Sequence, residues 1–103
     1  MSLYGLYGKL VAQPGRREEL VTLLLDGADE LGDLPGCLQY LINLAEAEPN
    51  AIWVTEIWES EAAHDASLEL DAVRAIIARA RPLIAPGGEQ IRLTPVGGKG
   101  MPS

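Results

Sequence analysis

Four stretches of the chain have the hydrophobic pattern and composition of β-strands. Leu3–Ala12 carries apolar residues at both odd and even positions, which is typical of a strand covered on both sides. Cys37–Leu44 alternates, with apolar side chains on one face. Ala51–Glu59 is the richest in β-branched and aromatic residues. Gln90–Val96 is the last candidate, and Pro95 predicts that it lies at an edge of a sheet.

The remaining apolar residues recur at helical spacing. Gly15–Leu31 follows Pro14, which favours a first helical turn, and it predicts the first helix. Ser60–Leu70 predicts a second helix, with the Ser60 side chain as its cap. Asp71 is predicted to cap a new helical segment that Pro82 ends near Arg81. A turn at Pro86-Gly87-Gly88 then leads into the last strand.

The element order is therefore β-α-β-β-α-β. This order predicts an α+β, ferredoxin-like fold with a four-stranded antiparallel sheet and helices on one face only. Residues 1–96 are predicted to form a single domain and residues 97–103 a glycine-rich tail.

The third predicted strand is apolar on both faces. Trp53 and Ile57 point to one side, and Ile52, Val54 and Trp58 point to the other. Helices can cover only one of these faces, and a large exposed apolar surface usually marks an interface. We therefore expect a homodimer in which two sheets meet face to face.

Charge and cysteine content limit the classes of partner and compartment that fit this chain. Fifteen acidic residues against eight basic ones give a net charge of −7, which argues against nucleic acid or membrane partners. The chain has a single Cys, and no basic-then-apolar leader precedes the first strand, so we expect a cytoplasmic protein. It has neither a phosphate-binding loop nor a set of metal ligands, so we expect no cofactor and no metal.

The chemistry of the chain centres on the end of the third strand. His64 is the only histidine, and histidine titrates near neutral pH, so it is the natural base; the alternative is a surface or capping residue. Trp58 either stacks on a planar substrate or is simply core. Glu56 lies among apolar residues and needs a partner such as Arg92 or a tyrosine, for a structural hydrogen bond or for substrate binding.

Three further residues are candidates for substrate binding. The hydroxyls of Tyr4 and Tyr40 could donate hydrogen bonds to a substrate oxygen, or these side chains could be packed sheet residues. Asn43 is a polar residue inside a predicted strand, where it faces either a substrate or solvent.

Three motifs resemble the antibiotic biosynthesis monooxygenase family. They are Pro35–Leu38, Trp53–Ala63 with its Glu-x-Trp-x-Ser sequence, and Pro95–Gly100. The subgroup of small quinol monooxygenases is the most similar. The resemblance implies a dimeric α/β barrel and cofactor-free oxygenation of quinols or polycyclic phenols. Many members carry a histidine where this chain has Ser67, and His64 lies one helical turn earlier on an adjacent part of the same face, so Ser67 joins the candidate substrate-facing residues.

The sequence thus predicts a cofactor-independent monooxygenase that oxidises a quinol or polycyclic phenol to a quinone with dioxygen. An electron-rich hydroquinone reacts with dioxygen once it is deprotonated, so the protein needs a base, hydrogen bonds and a dry pocket. The alternatives are a non-catalytic dimeric barrel that binds a small apolar ligand and a haem-binding, haem-degrading monooxygenase.

Overall fold

The computed structural model describes residues 2–101. The strands are β1 (Tyr4–Ala12), β2 (Cys37–Leu44), β3 (Ala51–Trp58) and β4 (Ile84–Leu93). The helices are α1 (Arg17–Glu30), α2 (Glu61–Ser67) and α3 (Asp71–Ala80), followed by a 3₁₀ turn at Arg81–Leu83.

The four strands form one antiparallel sheet in the order β2-β3-β1-β4. β1 and β3 are the central pair, so each βα unit crosses over a neighbouring strand. Glu56 of β3 faces Leu6 of β1 on one side and Tyr40 of β2 on the other. The predicted ferredoxin-like α+β fold is confirmed, and β2 and β3, which are consecutive in the chain, pair at one edge of the sheet.

The core lies between the sheet and the helices. The even-numbered side chains Ile52, Val54 and Trp58 of β3 point into it, each less than 10% exposed. Leu20 and Leu23 of α1 pack against this face of the sheet. Burying a side chain of this size contributes roughly 1.5–3 kcal/mol. The alternation of side chains along β3 therefore determines which of its residues lie in the core.

The other face of the sheet, which we call the open face, bears the odd-numbered side chains. Trp53 stacks on Tyr7 there, with 4.8 Å between ring centroids. Leu41, Ile91 and Leu93 are each about half exposed. The second apolar face predicted from the sequence is thus present, and no helix within residues 2–101 covers it.

The start of α2 agrees with the sequence prediction, whereas its end and the cap of α3 do not. Ser60 caps α2, since its Oγ accepts a hydrogen bond from the backbone N–H of Ala63 at 3.1 Å. The helix ends at Ser67 and not at Leu70, because three successive N–H groups bond to carbonyls three residues back and tighten the chain into a turn. Leu70 is the N-cap of α3, and Asp71 is its first residue, not its cap.

The prediction for the last strand was wrong at both ends. β4 spans Ile84–Leu93 and runs through the predicted turn at Pro86-Gly87-Gly88, which forms an irregularity in the pairing with β1. β4 is an edge strand, where the missing N–H of proline is tolerated. A Cβ on Gly88 would lie 2.9 Å from the carbonyl oxygen of Lys9, so only glycine allows the two backbones to approach this closely.

The predicted tail of residues 97–103 falls only partly within the described residues. Residues 97–101 contain neither helix nor strand. Residues 102 and 103, like Met1, lie outside the part that the structure describes.

Candidate functional site

A cavity of about 140 Å³ lies between the sheet and the helices. Its polar side chains come from three neighbouring elements: Tyr40 from β2, Glu56 from β3, and His64 and Ser67 from α2. Trp58 also lines it, whereas α1 and α3 contribute only apolar residues and Gly27. Five of the seven site residues predicted from the sequence therefore surround one space.

Local structure explains how Trp58 and His64 meet. The strand ends at Trp58, Ser60 caps the following helix, and His64 lies in the second turn of the chain beyond the strand. The two rings contact edge to face, with centroids 5.5 Å apart and an interplanar angle of 82°. Such a contact is favourable beyond the area it buries.

Tyr4 packs on another side of the same imidazole, although it does not line the cavity. It pairs with Trp58 across the β1–β3 ladder, and its ring centroid lies 5.4 Å from that of His64. The guanidinium of Arg92 lies over the Tyr4 ring, 5.2 Å from its centroid. Two aromatic rings thus hold the histidine side chain, which is 15% exposed.

Glu56 is a largely buried carboxyl group whose pKa is shifted. Burial raises its pKa, and the hydrogen bond from Trp58 and the charge of His64 partly oppose that rise. The indole Nε1 of Trp58 donates to Oε1 of Glu56 at 3.1 Å, and Nε2 of His64 lies 3.9 Å from the same oxygen. The partner expected from sequence was Arg92 or a tyrosine. Arg92 instead pairs with Glu61, because that carboxylate is at the surface beside it.

His64 has different neighbours at its two ring nitrogens. Nδ1 lies 3.1 Å from Oδ1 of Asp65, a distance at which a protonated Nδ1 donates to the carboxylate. This contact favours the tautomer whose proton is on Nδ1. In that tautomer Nε2, which is the nitrogen nearer Glu56, keeps a free lone pair and can accept a proton.

Tyr40 and Ser67 complete the polar side of the cavity. Tyr40 faces Glu56 directly across the β2–β3 ladder, and burial, more than the neighbouring Glu56 charge, raises its pKa well above the usual range for tyrosine. The hydroxyl of Ser67 is buried and donates to the backbone carbonyl of His64 at 2.6 Å. This hydrogen bond links the Ser67 side chain to the backbone of His64, one turn earlier in α2.

Asn43 does not join this group. It pairs with Trp53 across the β2–β3 ladder, so it belongs to the open face, on the other side of the sheet from the cavity. Its Nδ2 donates to the backbone carbonyl of Trp53 at 3.2 Å. Alternation along β2 separates it from Tyr40, three residues earlier.

Sequence reasoning missed the helical side of the cavity, including Gly27 in α1. The available signal was a glycine inside a long helical pattern, where alanine is more stable. A Cβ on Gly27 would meet only Cγ2 of Ile76, at 3.8 Å, so the site has room for a side chain that the sequence does not supply.

A second, wider cleft of about 390 Å³ lies beside the cavity and shares Tyr40 and Glu56 with it. Its other lining includes Lys9, Glu89 and Gln90 and the backbone of Gly8 and Gly88. It is therefore more polar than the cavity between the sheet and the helices.

Residues 2–101 have neither a cluster of metal ligands nor a membrane-spanning helix. These residues contain no group of three or more His, Cys, Asp and Glu side chains that could hold a metal ion. None of the helices described is long and apolar enough to cross a membrane.

Comparison with known proteins gives a consistent result. The sequence profile of the family described as antibiotic biosynthesis monooxygenase matches residues 4–79. A crystal structure of a candidate antibiotic biosynthesis monooxygenase from Chloroflexus aurantiacus J-10-fl is 45% identical, with a TM-score of 0.85 over 94% of this chain and 96% of the other. A protein from Caulobacter crescentus CB15 with the same description is 26% identical, with a TM-score of 0.86 over 93% and 92% of the two chains. No curated protein matches the chain.

Proposed function

The chain belongs to the antibiotic biosynthesis monooxygenase family, and we propose that it oxidises a quinol or a related phenol to a quinone with dioxygen. The observation that carries this proposal is the pairing of His64 with Glu56 on the polar side of a mainly apolar cavity. A phenol must lose its proton to become electron-rich, and a positioned base in a dry pocket promotes that loss.

In the proposed mechanism, Nε2 of His64 accepts the phenolic proton. Asp65 favours the tautomer in which this nitrogen is free. The protonated ring then donates from Nε2 to Oε1 of Glu56, which the Trp58 indole already holds in place. The present 3.9 Å separation shortens by about 1 Å when that hydrogen bond forms.

The phenolate then reacts with dioxygen. One oxygen atom bonds to a ring carbon, and that carbon loses its hydrogen. The other oxygen atom leaves as water, which takes up the ring hydrogen and the phenolic proton. All the electrons that reduce dioxygen come from the substrate, so the reaction needs no separate reductant. Trp58 and the apolar residues of the helices keep water from the reacting ring.

Oxygen uptake with a panel of phenols and hydroquinones tests this proposal. We expect His64→Ala to lower kcat/KM by about 100-fold or more, which is the usual contribution of a general base. Glu56→Gln should also lower it, because the neutral amide no longer balances the imidazolium. Glu46→Gln, in the exposed turn between β2 and β3, is the matched control and should leave uptake unchanged. Uptake that His64→Ala does not alter would rule out this mechanism.

A second candidate function is binding of a small apolar ligand without turnover, and the mainly apolar lining favours it. The same panel separates the two, because a binding protein would show saturable binding and no oxygen uptake. The cavity gives no support to haem binding, since about 140 Å³ is well below the roughly 300–1,000 Å³ of sites for drug-sized ligands. Haem titration without a shifted Soret band would exclude that third function.

We also propose that the protein is a homodimer in which two open faces meet. Tyr7, Leu41, Ile91 and Leu93 form an apolar surface there, each between 37% and 52% exposed. A second copy with the same surface would remove these side chains from water.

Light scattering after gel filtration measures this assembly. The wild type should have twice the 11.0 kDa mass of one chain, and Ile91→Glu should be monomeric. Leu25→Glu is the control, because Leu25 is equally exposed, at 49%, but lies on α1. A wild type that is monomeric at micromolar concentration, or a Leu25→Glu variant that dissociates as readily, would contradict the proposed interface.

A further inference from the structure

The lining of the cavity is polar on one side only. Tyr40, Glu56 and His64 lie on the side formed by the sheet and α2. The side formed by α1 and α3 consists of apolar residues, among them Leu24, Val73, Ile76 and Ile77, together with Gly27. A ligand can therefore form side-chain hydrogen bonds at one edge, while its opposite edge meets hydrocarbon.

The size of the cavity limits what fits. An apolar cavity of about 150 Å³ holds a single benzene ring. At about 140 Å³, this cavity matches one aromatic ring and not two.

Gly27 explains why even one ring fits. It lies inside α1 and its φ is not positive, so the backbone does not require glycine. Glycine is less stable than alanine at such a position. Its missing side chain leaves open the space in front of Ile76. Gly27 therefore sets the depth of the apolar side.

The neighbouring polar cleft adjoins the cavity at the polar side. It shares Tyr40 and Glu56 with the cavity, and both belong to the polar side. A substituent next to the substrate oxygens could extend into this cleft. A ring fused to the far edge has no such exit, because it would meet Gly27 and Ile76.

We infer that the substrate is a single-ring phenol whose oxygens lie on one edge, as in a catechol. Its oxygens face Glu56 and His64, and its unsubstituted edge faces Gly27 and Ile76. This inference rests on the proposed function for the reaction at the site. The preference for one ligand over another depends only on the size of the cavity and the position of its polar side. A para-hydroquinone would place its second hydroxyl against hydrocarbon, where the group lacks a partner.

Fluorescence titration under nitrogen tests the inference with three diols. Trp53→Phe serves as the background, so that Trp58 is the only tryptophan that reports binding. We expect catechol to quench Trp58 saturably and para-hydroquinone to bind on the order of tenfold more weakly, because one hydroxyl is left unpaired. Naphthalene-2,3-diol carries the same pair of hydroxyls and a second ring on the far edge, so it should not bind in the same range.

Two variants of the apolar side make the test sharper. Gly27→Ala should weaken catechol binding while raising the melting temperature, so that loss of folding cannot explain the loss of binding. Ile76→Ala removes the Cγ2 methyl group that faces Gly27, with the rest of the side chain beyond Cβ, and should improve binding of naphthalene-2,3-diol. Equal affinity for catechol and naphthalene-2,3-diol, or unchanged catechol binding by Gly27→Ala, would overturn the inference.

The outcomes also separate this inference from the proposed function. Selective catechol binding without oxygen uptake by any phenol would leave the inference standing and remove the proposed activity. Oxygen uptake with two-ring substrates as efficient as with catechol would support the activity and overturn the single-ring inference.

Discussion

Replacing Trp58 by Phe removes one hydrogen-bond donor from the centre of the site. The indole is 1% exposed, and its Nε1 donates to Oε1 of Glu56 at 3.1 Å. Phenylalanine keeps an aromatic ring against His64 but offers no N–H. The variant therefore tests whether this hydrogen bond stabilises a buried carboxylate.

The expected cost at neutral pH has two parts. A hydrogen bond to a charged group contributes about 1.5–3 kcal/mol to the free energy of unfolding. The smaller ring leaves unfilled space in a buried position, which costs about 1 kcal/mol more. Together Trp58→Phe should destabilise the protein by about 2.5–4 kcal/mol.

The cost should fall on acidification. Below its raised pKa, Glu56 is protonated in the folded protein, and a hydrogen bond between neutral groups contributes only about 0.5–1.5 kcal/mol. The hydrogen bond from Trp58 lowers the pKa of Glu56, so removing it raises that pKa further. The destabilisation by Trp58→Phe should therefore be smaller at pH 4, below the ordinary glutamate value of 4.5, than at pH 8.

Urea denaturation at both pH values measures these differences. With a slope of about 2 kcal/mol per molar urea, the midpoint at pH 8 should fall by about 1–2 M. Trp53→Phe is the matched control, since Trp53 lies on the open face and contacts neither Glu56 nor His64. A destabilisation that is the same at pH 4 and pH 8, or no larger than that of Trp53→Phe, would refute the reasoning.

Two further predictions concern the same stretch of chain. Ser60→Ala should lower the free energy of unfolding by about 1 kcal/mol, because the Ala63 N–H loses its side-chain acceptor; equal urea midpoints for variant and wild type would contradict the cap. For Glu56→Gln, the raised pKa of Glu56 sets the direction of the pH dependence, because burial makes the carboxyl bind its proton more tightly in the folded protein. The contribution of Glu56 to the free energy of unfolding is therefore full below pH 4.5 and is lost as pH rises through the pKa of the folded state. The variant should gain stability relative to the wild type as pH rises, and a constant difference between pH 4 and pH 8 would show that Glu56 is not perturbed.

The sequence alone was sufficient wherever local patterns decide the structure. The alternation along β3 identified Ile52, Val54 and Trp58 as one face and Trp53 as the other, because successive side chains of a strand point to opposite sides. Ser60 marked the start of α2, since a cap acts on N–H groups only three residues away. Together with the element order, these patterns were enough for the ferredoxin-like fold.

Contacts between distant parts of the chain decided the rest. β4 continues through Pro86-Gly87-Gly88 because it is an edge strand beside Lys9, and neither fact can be read locally. The same holds for the cavity, whose polar side comes from three elements and whose depth depends on Gly27 facing Ile76, 49 positions later. Periodicity determines which face of an element a residue occupies. Only tertiary packing determines which other residue it meets there and how much space is left between them.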